Sequence, residues 1–190
     1  MTWTQTYTGR AFDLVSPSPA DVELLDIAYQ LAGLNRFVGA THEPYSVAEH
    51  SVRVMRAVAD ECPDDYDLQL AALLHDAHEA YTGDFTTPVK DTMDAGARAW
   101  LSSLEGRVLG VICRWASLDI AMTARAEIRE ADARMCITER DGLMLVPPKP
   151  WSLKAEAYPD PPERPWPRDY AAHQFKADFL RCQRRRGRSW

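Results

Sequence analysis

Residues Leu68–Tyr81 read LQLAALLHDAHEAY, and this stretch decides the fold. Its apolar residues occur on almost every side of a helix, a pattern typical of a helix in the interior of a domain. Gly83 follows as a suitable left-handed stop. We therefore predict one central helix over Leu68–Tyr81. His75 and Asp76 stand out within it, because polar groups in an apolar interior are normally satisfied by one another or by an ion.

Strand and helix signals precede this stretch. Residues 3–14 are rich in Thr, Tyr and Trp around a glycine and indicate a short β-hairpin. Ser18–Asp21 supplies an N-cap, a proline and an acidic first turn for a first helix. Ser46–Glu49 is a capping box, which opens a second helix to about Asp60 and puts His50 in its first turn.

Helix signals continue after the stretch. Thr87–Pro88 begins an apolar pattern that extends to Trp115, as one long helix or as two that divide near Gly106 and Gly110. A further helix is predicted over residues 123–140, and Asp132 falls on the same stripe as its apolar residues.

The last part of the chain changes in composition. Eight prolines in residues 146–167 predict an extended, irregular wrap. A last helix is predicted over residues 168–186, packing through Tyr170, Phe175 and Phe179. Neither an internal repeat nor enough strand alternation for a larger sheet is present. The predicted fold is therefore all-α, a single-domain helical bundle over residues 1–190 with its core at 18–142.

Composition limits the classes of function. A chain of 190 residues with 46% hydrophobic content fits one domain, and a net charge of -6 argues against general affinity for polyanions. The four cysteines form no CxxC pair, so neither a zinc finger nor a disulfide framework is indicated, and a reducing cytoplasm is expected. No signal-peptide pattern and no apolar run of about 20 residues occurs, so we expect a soluble protein.

Four side chains combine metal-ligand chemistry with inward-facing helical positions: His50, His75, Asp76 and Asp132. Imidazole and carboxylate donors suit borderline divalent ions, and two of each leave open positions for catalysis on a five- or six-coordinate ion. Structural alternatives exist: a lone inward histidine is often a hydrogen-bonded core residue, Asp76 could be an ion-pair partner, and Asp132 could pair with Arg129 or Arg134. Together they predict three helices meeting at one ion.

Four segments follow one another in a defined order: Ser46–Ser51 (SVAEHS), Leu73–Asp84 (LLHDAHEAYTGD), Thr87–Lys90 (TPVK) and Asp132. They resemble the HD-domain metal-dependent phosphohydrolases, particularly the compact 5'-deoxynucleotidases and the small phage-type deoxynucleoside triphosphohydrolases. The resemblance covers residues 24–142 and is specific, because the whole ordered series is present.

The resemblance implies that one divalent transition-metal cation (Co, Zn, Mn, Fe or Ni, with Mg as a further candidate) is coordinated by His50, His75, Asp76 and Asp132. Two-metal relatives need additional histidines between the His-Asp pair and the final aspartate. Only His78 lies there, so a single ion is expected. His78 is expected either as a hydrogen-bond donor that supports the site or as a solvent-facing residue.

Glu79 and Asp84 are the candidate catalytic carboxylates. Glu79 lies four positions after His75, which on a helix puts both on one face and lets Glu79 act as general acid or base. Its structural alternative is a surface charge. Asp84 matches a family carboxylate that helps orient the attacking water, with a simple turn residue as the alternative.

Arg36, Phe37 and Lys90 are the candidate substrate-binding residues. Arg36 matches the family arginine that grips phosphate, and Phe37 is placed to contact sugar or base. The family nucleotidases commonly carry tryptophan beside that arginine, whereas Phe37 resembles the phage-type branch. Lys90 falls in the first turn of a predicted helix, where a cation opposes the helix dipole and a bound phosphate would compensate it.

The predicted function is a metal-dependent phosphohydrolase acting on small-molecule deoxynucleotides. A dNTP triphosphohydrolase, with dATP as a candidate substrate, is favoured over a 5'-deoxynucleotidase acting on dNMPs. A non-catalytic nucleotide or metal sensor, and a nucleic-acid-binding module using the C-terminal arginines, are the other interpretations. We expect a homo-oligomer that binds neither nucleic acid nor membrane.

Overall fold

The computed structural model describes residues 1–190 and is mainly helical, with one small two-stranded sheet near the N-terminus. The strands are β1 (Trp3–Gln5) and β2 (Ala11–Asp13). The helices are α1 (Leu24–Gly33), α2 (Val47–Glu61), α3 (Tyr66–Leu74), α4 (Glu79–Thr82), α5 (Thr87–Thr92), α6 (Ala95–Trp115), α7 (Ala126–Leu143) and α8 (Arg168–Arg185). The predicted all-α fold with an N-terminal hairpin is confirmed.

The hairpin is attached to the domain through an aromatic stack. β1 and β2 pair antiparallel, with Thr4 opposite Phe12. The Phe12 side chain is fully buried and stacks on Tyr81, with the two ring centroids 3.8 Å apart. Because Tyr81 belongs to α4, the stack joins the hairpin to the helix that follows the predicted metal ligands.

Helix α3 lies at the centre of the core. All of its residues from Leu68 to Leu74 are buried, as the apolar pattern predicts. Helices α2, α7 and α8 pack around α3, and α1 packs on α2 and α8. Helix α8 spans almost all of its predicted residues and contributes the fully buried rings of Phe175 and Phe179. Tyr170 is 49% exposed and packs edge-on against Trp166, at the surface and not in the core.

The central helix is shorter than predicted. Helix α3 stops at Leu74, residues 75–78 form turns, and α4 begins at Glu79. The amide of Glu79 donates to the Asp76 carbonyl three residues back, at 3.0 Å, which is the tighter 3-10 hydrogen-bond pattern. Glu79 therefore starts a new helix and does not continue α3. Gly83, with φ of 81°, ends α4 as predicted.

Two other helix boundaries also differ from the prediction. The Ser18 cap starts only a 3-10 turn at Pro19–Asp21, and extended residues separate this turn from α1. The pattern predicted from Thr87 to Trp115 forms two helices, α5 and α6. They divide at Met93–Asp94 and not near Gly106 or Gly110. The Asp94 carboxylate caps α6 by accepting from the amide of Ala97 at 2.8 Å. A side-chain cap thus sets this boundary, and α6 runs through both of its glycines.

Residues 146–167 contain neither helix nor strand, as predicted, and they pass over α2 and α7. The amide of Trp166 donates to Glu49 of α2 at 2.7 Å, and the amide of Tyr158 donates to Thr138 of α7 at 2.8 Å. All four cysteines are free. No helix combines the length and the apolar character that a membrane crossing requires.

Candidate metal centre

Two histidines present their Nε2 atoms to the space between α2, α3 and α7. His50, in the first turn of α2, is fully buried and donates from Nδ1 to Glu139 at 2.7 Å. His75, directly after α3, donates from Nδ1 to the Ala72 carbonyl at 2.7 Å. Because these two partners accept only, each neutral ring carries its proton on Nδ1 and a lone pair on Nε2. Both Nε2 atoms are buried without a hydrogen-bond partner.

Two carboxylates converge on the same Nε2 atoms. Asp76 Oδ2 lies 3.2 Å from His75 Nε2 and 3.8 Å from His50 Nε2. Asp132 Oδ1 lies 3.1 Å from His50 Nε2 and 4.0 Å from His75 Nε2. The ligand atoms of His50, His75 and Asp132 all lie within 4.8 Å of one another, a group that could hold a metal ion. The structure thus groups three of the four predicted ligands, His50, His75 and Asp132, and it places Asp76 beside both histidines.

The donor set fits a divalent cation. Unpartnered imidazole nitrogens beside carboxylate oxygens are the ligands that borderline divalent ions prefer. The alternative pairing of Asp132 with an arginine is not formed, because Arg129 donates to the Ala124 carbonyl and Arg134 to the Glu156 carbonyl. The Asp132 side chain is 42% exposed, so the cluster is open to solvent on this side.

The charges of the cluster favour ionised carboxylates. Burial raises the pKa of Asp76, but the adjacent His75 outweighs burial and holds that pKa well below its usual value. His50 lowers the pKa of Asp132 against the effect of burial in the same way. Burial lowers the pKa of His75, but Asp76 and Asp132 outweigh it and raise this pKa to about 9. The pair of carboxylates therefore favours positive charge at this point, from imidazolium or from a bound cation.

Glu139 is a residue of the site that the sequence analysis misses. It is fully buried on α7, and its carboxylate accepts from Tyr45 Oη at 2.6 Å as well as from His50. Arg36 Nε donates to its second oxygen at 3.1 Å. A usable signal exists, because Glu139 lies seven residues after Asp132 and therefore on the same face of α7.

Arg36 reaches the cluster from the loop after α1. Its side chain is 11% exposed, and Nη1 lies 3.9 Å from Asp76 Oδ2. Within the protein its guanidinium donates a hydrogen bond only through Nε, to Glu139. The terminal nitrogens therefore remain available to an anion.

Phe37 follows Arg36 in a strained turn. Phe37 and Val38 have φ of 54° and 55°, in the left-handed region that bulky and β-branched residues rarely adopt. The Arg36 guanidinium carbon lies 5.2 Å from the centroid of the Phe37 ring. The ring centroid of Trp151, in the proline-rich segment, lies 6.0 Å from that of Phe37. Such strain occurs preferentially at functional sites. The turn places Phe37 between the phosphate-binding candidate and the proline-rich segment.

The charge of Asp76, in the cluster, affects the pKa of both Glu79 and Asp84. The Glu79 side chain is buried, and its Oε2 atom has no hydrogen-bond partner. Burial, with help from Asp76 and Asp84, raises the pKa of Glu79 to about 10. These surroundings therefore favour the protonated form of Glu79. Burial also raises the pKa of Asp84, which is half-buried, while Arg36 opposes this effect.

Lys90 and His78 both approach Glu105 of α6. Lys90 Nζ lies 3.0 Å from Glu105 Oε1, and His78 Nε2 lies 3.8 Å from the same oxygen. Glu105 thus compensates the charge of Lys90 within the protein. A bound phosphate is not needed for that purpose. His78 is 8% exposed, which excludes the solvent-facing alternative, and neither of its ring nitrogens has a hydrogen-bond partner.

The fold and the site together define an all-α protein with a His-Asp cluster that could hold a metal ion. An uncharacterized protein of Rhodobacter capsulatus is 44% identical to the chain over 97 residues, and the match spans 50% of this chain and 50% of that protein. The uncharacterized protein YfdR of Escherichia coli (strain K12) is 31% identical over 145 residues, 76% of this chain and 74% of YfdR. The chain belongs to the family of YfdR. No family model matches it.

Proposed function

We propose that the protein is a metal-dependent phosphohydrolase of the HD-domain type that acts on deoxynucleotides. The observation that carries this proposal is the convergence of two unpartnered histidine nitrogens and two carboxylates on one point. One divalent transition-metal cation, from the series Zn, Co, Mn, Fe and Ni, suits the donors of His50, His75, Asp76 and Asp132. The order of the motifs along the chain, which resembles that of HD-domain phosphohydrolases, supports the same assignment.

The cationic groups beside the cluster suit a phosphorylated substrate. Arg36 has free terminal N–H donors, which can bind two nonbridging phosphate oxygens in a bidentate manner. Lys90 pairs with Glu105, so it would contact a phosphate only by exchanging that partner. When bound, the cation supplies Lewis acidity toward a phosphoryl oxygen and toward water.

The two carboxyl groups near the cluster take different roles because their surroundings differ. Glu79 is buried in surroundings that favour its protonated form, so it is suited to donate a proton to the leaving oxygen. Asp84 is half-buried and lies under the influence of Arg36, which suits a carboxylate that orients the attacking water. A metal or nucleotide sensor has no use for such an acid. The burial of Glu79 therefore favours an enzyme over a sensor.

Among deoxynucleotides we favour the triphosphates, with dATP as a candidate. Attack at the α-phosphorus of a dNTP gives nucleoside and triphosphate, whereas attack on a dNMP gives nucleoside and phosphate. The preference depends on Arg36–Phe37, which resembles the phage-type branch more than the 5'-deoxynucleotidases.

A hydrolysis screen tests the proposal. The purified protein would be incubated with each dNMP and dNTP in Co²⁺, Mn²⁺, Mg²⁺ or Zn²⁺, and the products resolved by chromatography. We expect nucleoside and triphosphate from at least one dNTP, and loss of both bound metal and hydrolysis in Asp132→Ala. Asp141→Ala, an exposed change on the same helix, is the matched control. Release of orthophosphate from a dNMP, with no product from any dNTP, would show that the protein is a 5'-deoxynucleotidase and not a triphosphohydrolase. A wild-type protein that binds none of these metals would overturn the proposal.

A further inference from the structure

Glu139 accepts hydrogen bonds from three side chains that come from three parts of the chain. Oε1 accepts from His50 Nδ1 at 2.7 Å and from Tyr45 Oη at 2.6 Å, and Oε2 accepts from Arg36 Nε at 3.1 Å. The Glu139 side chain is fully buried. A buried carboxylate is stable only with such charge-assisted partners, and these partners in turn lose their rotational freedom.

The bond to His50 acts on the metal centre. A carboxylate accepts only, so it holds the proton of the neutral ring on Nδ1 and leaves the lone pair on Nε2. That nitrogen lies 3.1 Å from Asp132 Oδ1 and 3.8 Å from Asp76 Oδ2. Without an acceptor at Nδ1 the other tautomer becomes accessible, and in it Nε2 carries a proton and cannot bind a cation.

The bond to Arg36 acts on the anion-binding group. Arg36 starts a short strained turn, so its position does not depend on a regular helix. Its backbone amide donates to the Tyr45 carbonyl at 2.9 Å, and its Nε donates to Glu139. Because Glu139 occupies Nε, the terminal edge of the guanidinium is directed elsewhere, and Nη1 lies 3.9 Å from Asp76 Oδ2.

We propose that Glu139 is a positioning residue that sets two properties of the site at once, the affinity for the cation through His50 and the affinity for phosphate through Arg36. The inference rests on the proposed function, because it assigns a role toward the same cation and the same substrate group. Tyr45 supports Glu139 through Oε1, whereas Arg36 donates to Oε2.

Glu139→Gln tests the role, because the carboxamide has one acceptor oxygen where three donors approach, and its NH₂ group opposes a donor. Metal affinity would be measured by titration with Co²⁺ and Zn²⁺ against a competing chelator, and phosphate affinity by titration of the metal-loaded protein with inorganic phosphate. We expect Glu139→Gln to weaken metal binding about 10- to 100-fold, as changes behind a ligating histidine typically do. We expect it also to weaken phosphate binding at saturating metal.

Three comparisons make the result specific. Arg36→Ala should weaken phosphate binding without weakening metal binding, because it removes a cation from beside Asp76 and leaves the acceptor of His50 in place. Tyr45→Phe keeps the carboxylate and should give a smaller effect of the same sign as Glu139→Gln. Glu130→Gln, an exposed change on α7, should have no effect.

The outcomes separate this inference from the proposed function. Wild-type metal binding and hydrolysis, combined with unchanged metal and phosphate affinity in a folded Glu139→Gln protein, would overturn the positioning role alone. If Glu139→Gln does not fold, unchanged affinities in Tyr45→Phe would overturn it equally. A wild-type protein without bound metal or hydrolysis would instead overturn the proposed function.

Discussion

His50 and His75 each have one satisfied ring nitrogen and one unsatisfied ring nitrogen. The satisfied Nδ1 atoms donate to a carboxylate and to a backbone carbonyl, and the unsatisfied Nε2 atoms lie beside Asp76 and Asp132. A buried polar atom without a partner destabilises a fold by about 1–3 kcal/mol. Two such atoms directed at one point, beside two carboxylates, form a group that could hold a metal ion.

Glu79→Gln should reduce hydrolysis without reducing metal affinity. Glutamine has the shape of the uncharged acid that burial favours at this position, so we expect the fold and the cation site to be retained. It cannot donate an acidic proton, and loss of a general acid typically lowers kcat by about 10²- to 10⁴-fold. The measurement is steady-state kinetics with a parallel metal titration. Turnover equal to that of the wild type would remove Glu79 from the catalytic machinery.

At the scale of secondary-structure elements, α7 joins the site to the proline-rich segment. Asp132 and Glu139 lie on one side of this helix, at the cluster. Near its end, Gly142 lies so close to the segment that a Cβ atom there would be 2.9 Å from Pro161 Cβ and 2.9 Å from the Pro162 carbonyl. A glycine is required at this position by packing, since its backbone is helical.

Gly142→Ala should therefore destabilise the protein. Overpacking typically costs about 1–3 kcal/mol, more than the gain of roughly 1 kcal/mol that alanine brings to a helix. Gly106→Ala is the matched control, because Gly106 is also helical but has open space around its Cβ position. We expect the control to stabilise the protein by about 0.5–1 kcal/mol. Urea denaturation measures the free energy of unfolding of both variants. Equal effects of the two changes would show that the proline-rich segment can move to accommodate the added methyl group.

At the scale of the whole molecule, one of the C-terminal arginines is a structural residue. Arg186 Nε lies 2.6 Å from Asp67 Oδ1 of α3, and its Nη2 donates to the Ser117 carbonyl at 2.7 Å, just after α6. Its side chain is only 8% exposed. Arg186 thus joins the end of α8 to two other helices, and this use of its charge argues against a tail dedicated to nucleic acid.

Arg186→Ala should lower the free energy of unfolding, whereas Arg184→Ala should not. Removing Arg186 loses its bonds to Asp67 and to the Ser117 carbonyl, and a typical hydrogen bond contributes about 0.5–1.5 kcal/mol to stability. Arg184 is exposed, and exposed substitutions usually stay within about 0.5 kcal/mol. Thermal and urea unfolding of both variants test this. Similar stability of the two variants would contradict the structural role of Arg186.

The sequence by itself determined the all-α class, the positions of most helices and the identity of the four clustered side chains. Ser46 caps α2 by accepting from the amide of Glu49 at 3.2 Å, and Gly83 ends α4 with a positive φ. Such signals can be read from the chain because each depends on groups only a few residues apart.

Only the tertiary structure decided the break after Leu74, the burial of His78 and the hydrogen bonds of Glu139. The bonds from Glu139 to His50 and Tyr45 span 89 and 94 residues, and the contact between Phe37 and Trp151 joins segments equally remote in sequence. Local preferences do not specify such pairs. They form because the packing of α2, α3 and α7 buries polar groups. A buried polar group is stable only when it is hydrogen-bonded, here to residues from distant parts of the chain.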